Sequence, residues 1–182
     1  MTATTEKKDK VVNKEDTQSQ RHVLSLVLDN EAGALGRVVG LFSSRGYNIH
    51  SLTVAEIDPI NHISRITITT SAPLHVIEHI MALLQRLIPV RKVRDLTTEG
   101  PHVERGLILI KVSAKGDNRQ EIIHLADQYE ALQVDSTDKS FIFQLTDIPS
   151  KLNEFADVLA PYGIIEMSRT GITGMARGSE AF

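Results

Sequence analysis

The feature that most restricts how this chain can fold is an order of apolar patterns that runs once from residue 22 to 96 and again from 107 to 167. In the first copy, Val23, Leu24, Leu26 and Val27 form a compact apolar run that stops at Asp29-Asn30, the pattern of a buried strand ending in a turn. Leu35, Val38, Val39 and Phe42 then recur at the spacing of one helical face, and Gly46 sits where a helix terminator belongs. Residues 48–57 and 63–70 read as two strands joined around Pro59 and Asn61, a hairpin. A second helix starts near Pro73 with Ile77, Ile80, Leu84 and Leu87 as its apolar stripe, and 90–96 closes the unit as a strand. The order is βαββαβ, the ferredoxin-like arrangement.

Thr97, Thr98, Glu99, Gly100 and Pro101 have the composition of a linker, which places a boundary over 97–104. Beyond it, 107–112 reads as a strand, and Ile122, Leu125, Ala126 and Tyr129 make a helical face. Residues 132–135 and 141–145 suggest a strand pair, Leu152, Phe155, Ala156 and Leu159 give a second helix, and 164–167 is the last strand. The predicted fold class is therefore α+β, with two ferredoxin-like βαββαβ domains over 21–96 and 105–182. Each is small enough to bury only around 60% of its chain surface alone, so pairing between subunits is expected.

The residues before this pattern, 1–20, set Lys7, Lys8, Lys10 and Lys14 against Glu6, Asp9, Glu15 and Asp16 with almost nothing apolar, and are expected to form a disordered tail. They hold neither the apolar run of a signal peptide nor a span of about 18 apolar residues, so secretion and membrane insertion are not expected. A formal net charge of -3 argues against the basic surface that nucleic acids or anionic membranes require. The absence of cysteine excludes disulfides, thiolate metal sites and cysteine nucleophiles and fits a cytoplasmic location.

The most informative segment for function is Asp29-Asn30-Glu31-Ala32-Gly33-Ala34-Leu35, which joins the first strand to the first helix. The unpaired N–H groups of a helix start and the helix dipole favour an anion such as a carboxylate, and Gly33 removes a side chain where a ligand would approach. Asn30 has the chemistry to bind either end of a zwitterion. The same residues also suit a plain helix cap at Asn30 and a turn at Gly33. Gly46-Tyr47-Asn48-Ile49 follows the helix and places Asn48 at the opening of the next strand, where it serves equally as a turn residue.

Taken together, Asp29-x3-Gly33-x-Leu35-x2-Val38-x3-Phe42-x3-Gly46-x-Asn48-Ile49 closely resembles the signature of ACT domains, the amino-acid-sensing modules of many biosynthetic enzymes. The fuller run from Leu24 to Val54 resembles the acetolactate synthase small-subunit family in particular, as do His102-Val103-Glu104-Arg105 and Ser168-Arg169-Thr170-Gly171. The resemblance extends roughly over 21–178, and His50 stands where that family commonly carries an acidic residue. It implies that the first domain is an ACT domain, that two such domains form a homodimer by pairing their sheets side by side, and that valine or another branched-chain amino acid binds across the interface. Asn30 and Gly33 are then supplied by one chain and Asn48 and Ile49 by the other, with Ala34 and Leu35 giving backbone and apolar contacts. The implied role is a non-catalytic subunit that activates a large catalytic subunit and confers feedback inhibition by valine. Thiamine diphosphate, magnesium (Mg) and FAD are expected in that catalytic partner and no cofactor in this chain. The alternative is a free-standing amino-acid-binding ACT module that controls another enzyme or a transcription factor.

Other constellations lead to no chemistry. His75 and His79 lie four apart with Glu78 beside them, but they face away from the apolar stripe and have no third ligand in sequence reach. No nucleophile elbow, zinc-protease helix motif or phosphate-binding loop is present, so no catalytic residue and no metal site is expected. The glycine-rich, cationic segment 169–178 reads as a frayed end, as a phosphate cradle or as a tail that docks on the catalytic subunit, the last being what the resemblance favours.

Overall fold

In a computed structural model, described for residues 18–114, 118–179 and 182, the chain forms a four-stranded and a five-stranded antiparallel sheet, each with two helices on one face. The first unit comprises β1 (Gln20–Asp29), α1 (Ala34–Ser44), β2 (Ser51–Asp58), β3 (Ile63–Ala72), α2 (Leu74–Leu84) and β4 (Val90–Asp95). After a short helix α3 (Leu96–Glu99), the second comprises β5 (His102–Ser113), α4 (Arg119–Gln128), β6 (Leu132–Ser136), β7 (Ser140–Asp147), α5 (Pro149–Leu159) and β8 (Ile164–Arg169). The sheet orders are β2-β3-β1-β4 and β6-β7-β5-β8, the same arrangement twice, so the α+β ferredoxin-like fold holds for both halves. Most of the expected tail, residues 1–17, lies outside the described residues, and Gln20 already belongs to β1.

Each unit has its own core on its helical face. Leu24, Leu26 and Leu28 of β1 point with Ile66 and Ile68 toward Val38, Phe42, Ile77, Ile80 and Leu84 of the helices. In the second unit Ile108, Ile110 and Val112 meet Phe141, Phe143, Ile122, Phe155 and Leu159. The face of α1 differs from the sequence expectation at Leu35, which is 38% exposed while Ala34 is buried. The buried row is Ala34, Val38, Leu41 and Phe42, and Leu35 lies about 100° round the helix from it.

Two further corrections concern the segments around the boundary. Residues 97–104, expected to be a linker, hold α3 and the opening of β5. The Asp95 side chain accepts a hydrogen bond from the Thr97 backbone N–H at 3.0 Å and so starts α3, while its other oxygen lies 2.7 Å from His22 Nδ1 in a pair that is almost wholly buried. The glycine-rich end is not frayed. It forms a ninth strand, β9 (Thr173–Ala176), paired antiparallel with His102–Arg105 at the start of β5.

This β5–β9 ribbon roofs the face of the first sheet that the helices leave open. Val23, Leu96 and Ile172 form a small third core there, with Ala176 packed against it. Arg21 of β1 makes a bidentate pair with Glu104 of β5, at 3.0 and 2.6 Å, and His102 Nε2 lies 2.9 Å from the same carboxylate. Burial, the largest single influence, raises the Glu104 pKa, but the hydrogen bonds and charges of Arg21 and His102 outweigh it and hold the carboxyl below its ordinary value of 4.5. The closest approach is at Gly171, where a Cβ would sit 2.5 Å from Thr53 Oγ1 and 2.7 Å from the Leu52 carbonyl oxygen of β2.

A methyl group at residue 171 has to displace the backbone of β2 or lift the tail. Gly171→Ala is therefore expected to lower stability by about 1 to 3 kcal/mol in urea denaturation. The Glu104 contribution is present above about pH 4.5 and lost as pH falls through its depressed folded value. Glu104→Gln is accordingly expected to flatten the acid limb of a stability-versus-pH curve.

Candidate functional site

The loop from β1 to α1 is held from two sides. The Asp29 backbone N–H donates to Pro89 O at 2.8 Å, and the Asn30 backbone N–H donates to His62 O, in the β2–β3 turn, at 2.6 Å. Arg91 and Arg37 hold the flanking carboxylates, with Arg91 Nε donating to Asp29 at 2.7 Å and Arg37 Nη1 to Glu31 at 2.8 Å. Asn30 does not cap α1, because its side-chain Nδ2 donates instead to Glu56 Oε1 of β2 at 2.9 Å. The N-cap is Gly33, at φ +83°, and no side chain bonds to the first turn of the helix. The amides that follow Ala34 are thus left without a side-chain cap, as an anion site at a helix start requires. Open space surrounds the Gly33 Cα, so glycine is needed there for its backbone conformation rather than for lack of room.

The second segment is shaped by the end of α1. Gly46, at φ +70°, reverses the chain, and the Tyr47 N–H returns to Phe42 O at 3.0 Å while the Tyr47 ring packs edge-on against Phe42. This leaves Ile49 half-buried against the first core and Asn48 exposed. The Asn48 carbonyl accepts from Thr70 Oγ1 at 2.7 Å, and its Nδ2 donates to His50 Nδ1 at 3.3 Å. His50 Nε2 then donates to Ser71 Oγ at 3.0 Å. His50 is therefore the acceptor that orients Asn48.

The two segments do not meet within one chain. Asn30 contacts His62, just before β3, and Asn48 contacts Thr70, near the end of β3. Eight residues of strand separate those contacts by roughly 25 Å. Asn30, Gly33, Ala34 and Leu35 therefore cluster at one end of the sheet, and Asn48 and Ile49 at the other. Glu56, at the Asn30 end of β2, has no sequence signal, since a single glutamate on an edge strand matches no pattern. Its carboxylate reaches the loop only because β2 and β3 bring it there.

Among the described residues no group of three or more His, Asp or Glu side chains is close enough to hold a metal ion. His75 and His79 are exposed on α2. Among the described residues no helix is long and apolar enough to cross a membrane.

Comparison with known proteins reproduces the division into halves. A family model described as the AHAS small subunit-like ACT domain matches residues 24–92, and one described as the small subunit of acetolactate synthase matches 105–178. The acetolactate synthase isozyme 3 small subunit of Escherichia coli is 40% identical over 161 residues, which span 88% of this chain and 98% of that protein. This chain belongs to the acetolactate synthase small-subunit family. The Haemophilus influenzae acetolactate synthase small subunit is 42% identical over the same shares of the two chains. The crystal structure of the Thermotoga maritima acetolactate synthase small subunit superimposes with a TM-score of 0.79 at 31% identity, over 88% of this chain and 99% of that one. Membership and the ACT domain assign a regulatory role in branched-chain amino acid biosynthesis, with a catalytic subunit as partner.

Because a Cβ at residue 33 meets no neighbour, Gly33→Ala is expected to cost only the backbone strain of a left-handed residue, about 1 kcal/mol in urea denaturation, without loss of the fold.

Proposed function

We propose that two copies of this chain bind valine across a side-by-side pairing of their ACT sheets, and that the bound amino acid restrains a catalytic subunit which the valine-free dimer activates. The observation that carries this reading is the separation of Asn30 from Asn48 at opposite ends of β3, which leaves each half of the site incomplete. A second copy supplies the missing half. β2 is an edge strand with Val54 43% and Ile57 51% exposed, and an unpaired edge of this kind is a template for another strand. Two-fold pairing of β2 with its own copy is antiparallel, so the Asn48 end of one strand lies against the Glu56 and Asn30 end of the other.

The chemistry assembled there suits an amino acid. The uncapped start of α1 takes the carboxylate, the Asn30 side-chain oxygen and Glu56 accept from the ammonium, and Leu35 and Ile49 offer apolar surface to a branched side chain. The segment that lines the site in one chain opens the edge strand through which the chains pair, so ligand and dimer stabilise each other. Coupling of this kind is typically about 1 to 3 kcal/mol and reciprocal, so the catalytic subunit changes valine affinity as much as valine changes its binding. Thiamine diphosphate, magnesium and FAD belong to the catalytic partner in this reading.

Acetolactate formation by the cognate catalytic subunit, followed across valine, leucine and isoleucine titrations, is expected to rise on addition of this chain and to fall again with valine. A rate indifferent to the chain and to all three amino acids overturns the proposal. Asn30→Ala is expected to weaken valine binding by about 1 to 3 kcal/mol in calorimetry with the fold intact, and unchanged affinity removes Asn30 from the site.

A further inference from the structure

We infer a second ligand site, for a small polyanion, on the face of the ACT sheet opposite its helices. In the ladder, Arg65 of β3 and Lys92 of β4 both stand opposite Val27 of β1, and Arg94 of β4 stands opposite Ser25. Residues directly opposite in a ladder share a face, so the three cations ring the same patch, with Arg65 and Lys92 about 10 Å apart across β1. They converge on one object, the ring of Phe182, whose centre lies 5.2 Å from the Arg65 guanidinium carbon, 5.2 Å from that of Arg94 and 6.0 Å from Lys92 Nζ.

An aromatic ring is a weak answer to three positive charges. A cation–π contact is worth about 0.5 to 2 kcal/mol and removes no net charge, whereas like charges gathered on one sheet face repel. Glu99 pairs with Arg94 Nε at 3.2 Å, but among the described residues neither Arg65 nor Lys92 has an ion-pair partner. Arg65 Nε is moreover buried without a hydrogen-bond acceptor, a donor that normally has one. The space to accept a ligand exists. A cavity of about 280 Å³ is lined by Ser25, Arg65, Arg94, Leu96, Gly174 and Phe182. Its roof is the β9 tail, where Gly174 contributes no side chain and comes so close to Leu96 that a Cβ would lie 2.8 Å from it.

The site takes a small molecule with two or more negative charges, either a phosphate compound or a dicarboxylate. Two guanidinium forks and an ammonium spaced across one strand satisfy several oxygens at once, and the single carboxylate of an amino acid leaves most of those donors idle. The Phe182 ring stands among the three cations beside that cavity and competes with the anion for them. The site is distinct from the Asn30–Asn48 site, which lies at the two ends of the sheet rather than on its open face.

The test is calorimetric titration of the full chain, at low ionic strength, with inorganic pyrophosphate and separately with malonate, alongside sodium chloride at matched ionic strength. Saturable binding of one anion per chain is expected, tightened several-fold by Phe182→Ala, which removes the competing ring. Lys92→Gln and Arg65→Gln are each expected to weaken it about tenfold. Lys92 is exposed, so its variant reports on binding even if Arg65→Gln unfolds. Binding of pyrophosphate alone identifies a phosphate ligand, and binding of malonate alone a dicarboxylate. The inference is overturned if neither anion binds Phe182→Ala more than chloride does, or if Lys92→Gln binds as the unaltered chain does.

Discussion

The arrangement of both domains depends on the first strand being covered on both faces. From Val23 to Leu28 every residue of β1 is buried, with Leu24, Leu26 and Leu28 against the helices and Val23, Ser25 and Val27 on the opposite side. An antiparallel sheet of this size usually leaves one face to water and alternates apolar with polar along its strands. β1 does not alternate, so its second face needs a cover that its own domain lacks. That cover is the β5–β9 ribbon, which reaches back from the second unit and seats Ile172 against Val23 and Leu96. The domains are thus joined by a small shared core, fastened at one side by the Arg21–Glu104 pair and at the other by the close approach of Gly171 to β2.

β2 is the element on which these features meet. Its start follows Asn48 and Ile49, its middle carries Leu52 and Thr53 against Gly171, and its end carries Glu56 against Asn30. It is also the free edge of the sheet. Packed interfaces resist compression, and β2 lies so close to Gly171 that a Cβ there would sit 2.7 Å from the Leu52 carbonyl oxygen, so the strand has little room to move toward that segment. β2 thus adjoins both candidate ligand segments and the segment that roots the second domain on the first.

Much of this was legible before the structure. The helical periods over 77–84 and 152–159 and the strand runs over 63–70 and 141–145 recur in the elements observed, because each is specified by its own neighbours along the chain. The glycine and asparagine positions of the candidate site were legible as a set rather than singly, since the spacing 29-33-35-38-42-46-48 constrains a whole strand–turn–helix–turn unit. Leu35 was misplaced by one helical position because Ala34, small and uninformative in a periodicity count, is the residue that faces the core.

What the sequence determined on its own is local: where strands and helices form, that the order βαββαβ occurs twice, and that the loop before the first helix turns at a glycine, Gly33. The tertiary structure decided what depends on partners far along the chain. Residues 173–176 read as loose because they are short and glycine-bearing, and they become a strand only by pairing with 102–105, some seventy residues earlier. Asn30 binds Glu56 instead of capping its own helix because the β2–β3 hairpin delivers that carboxylate. Arg65 on one side and Lys92 with Arg94 on the other are unremarkable in two separate stretches, and ladder register alone sets them around one ring. Periodicity records the environment of neighbours in sequence; register and long-range packing are settled only when the whole sheet closes.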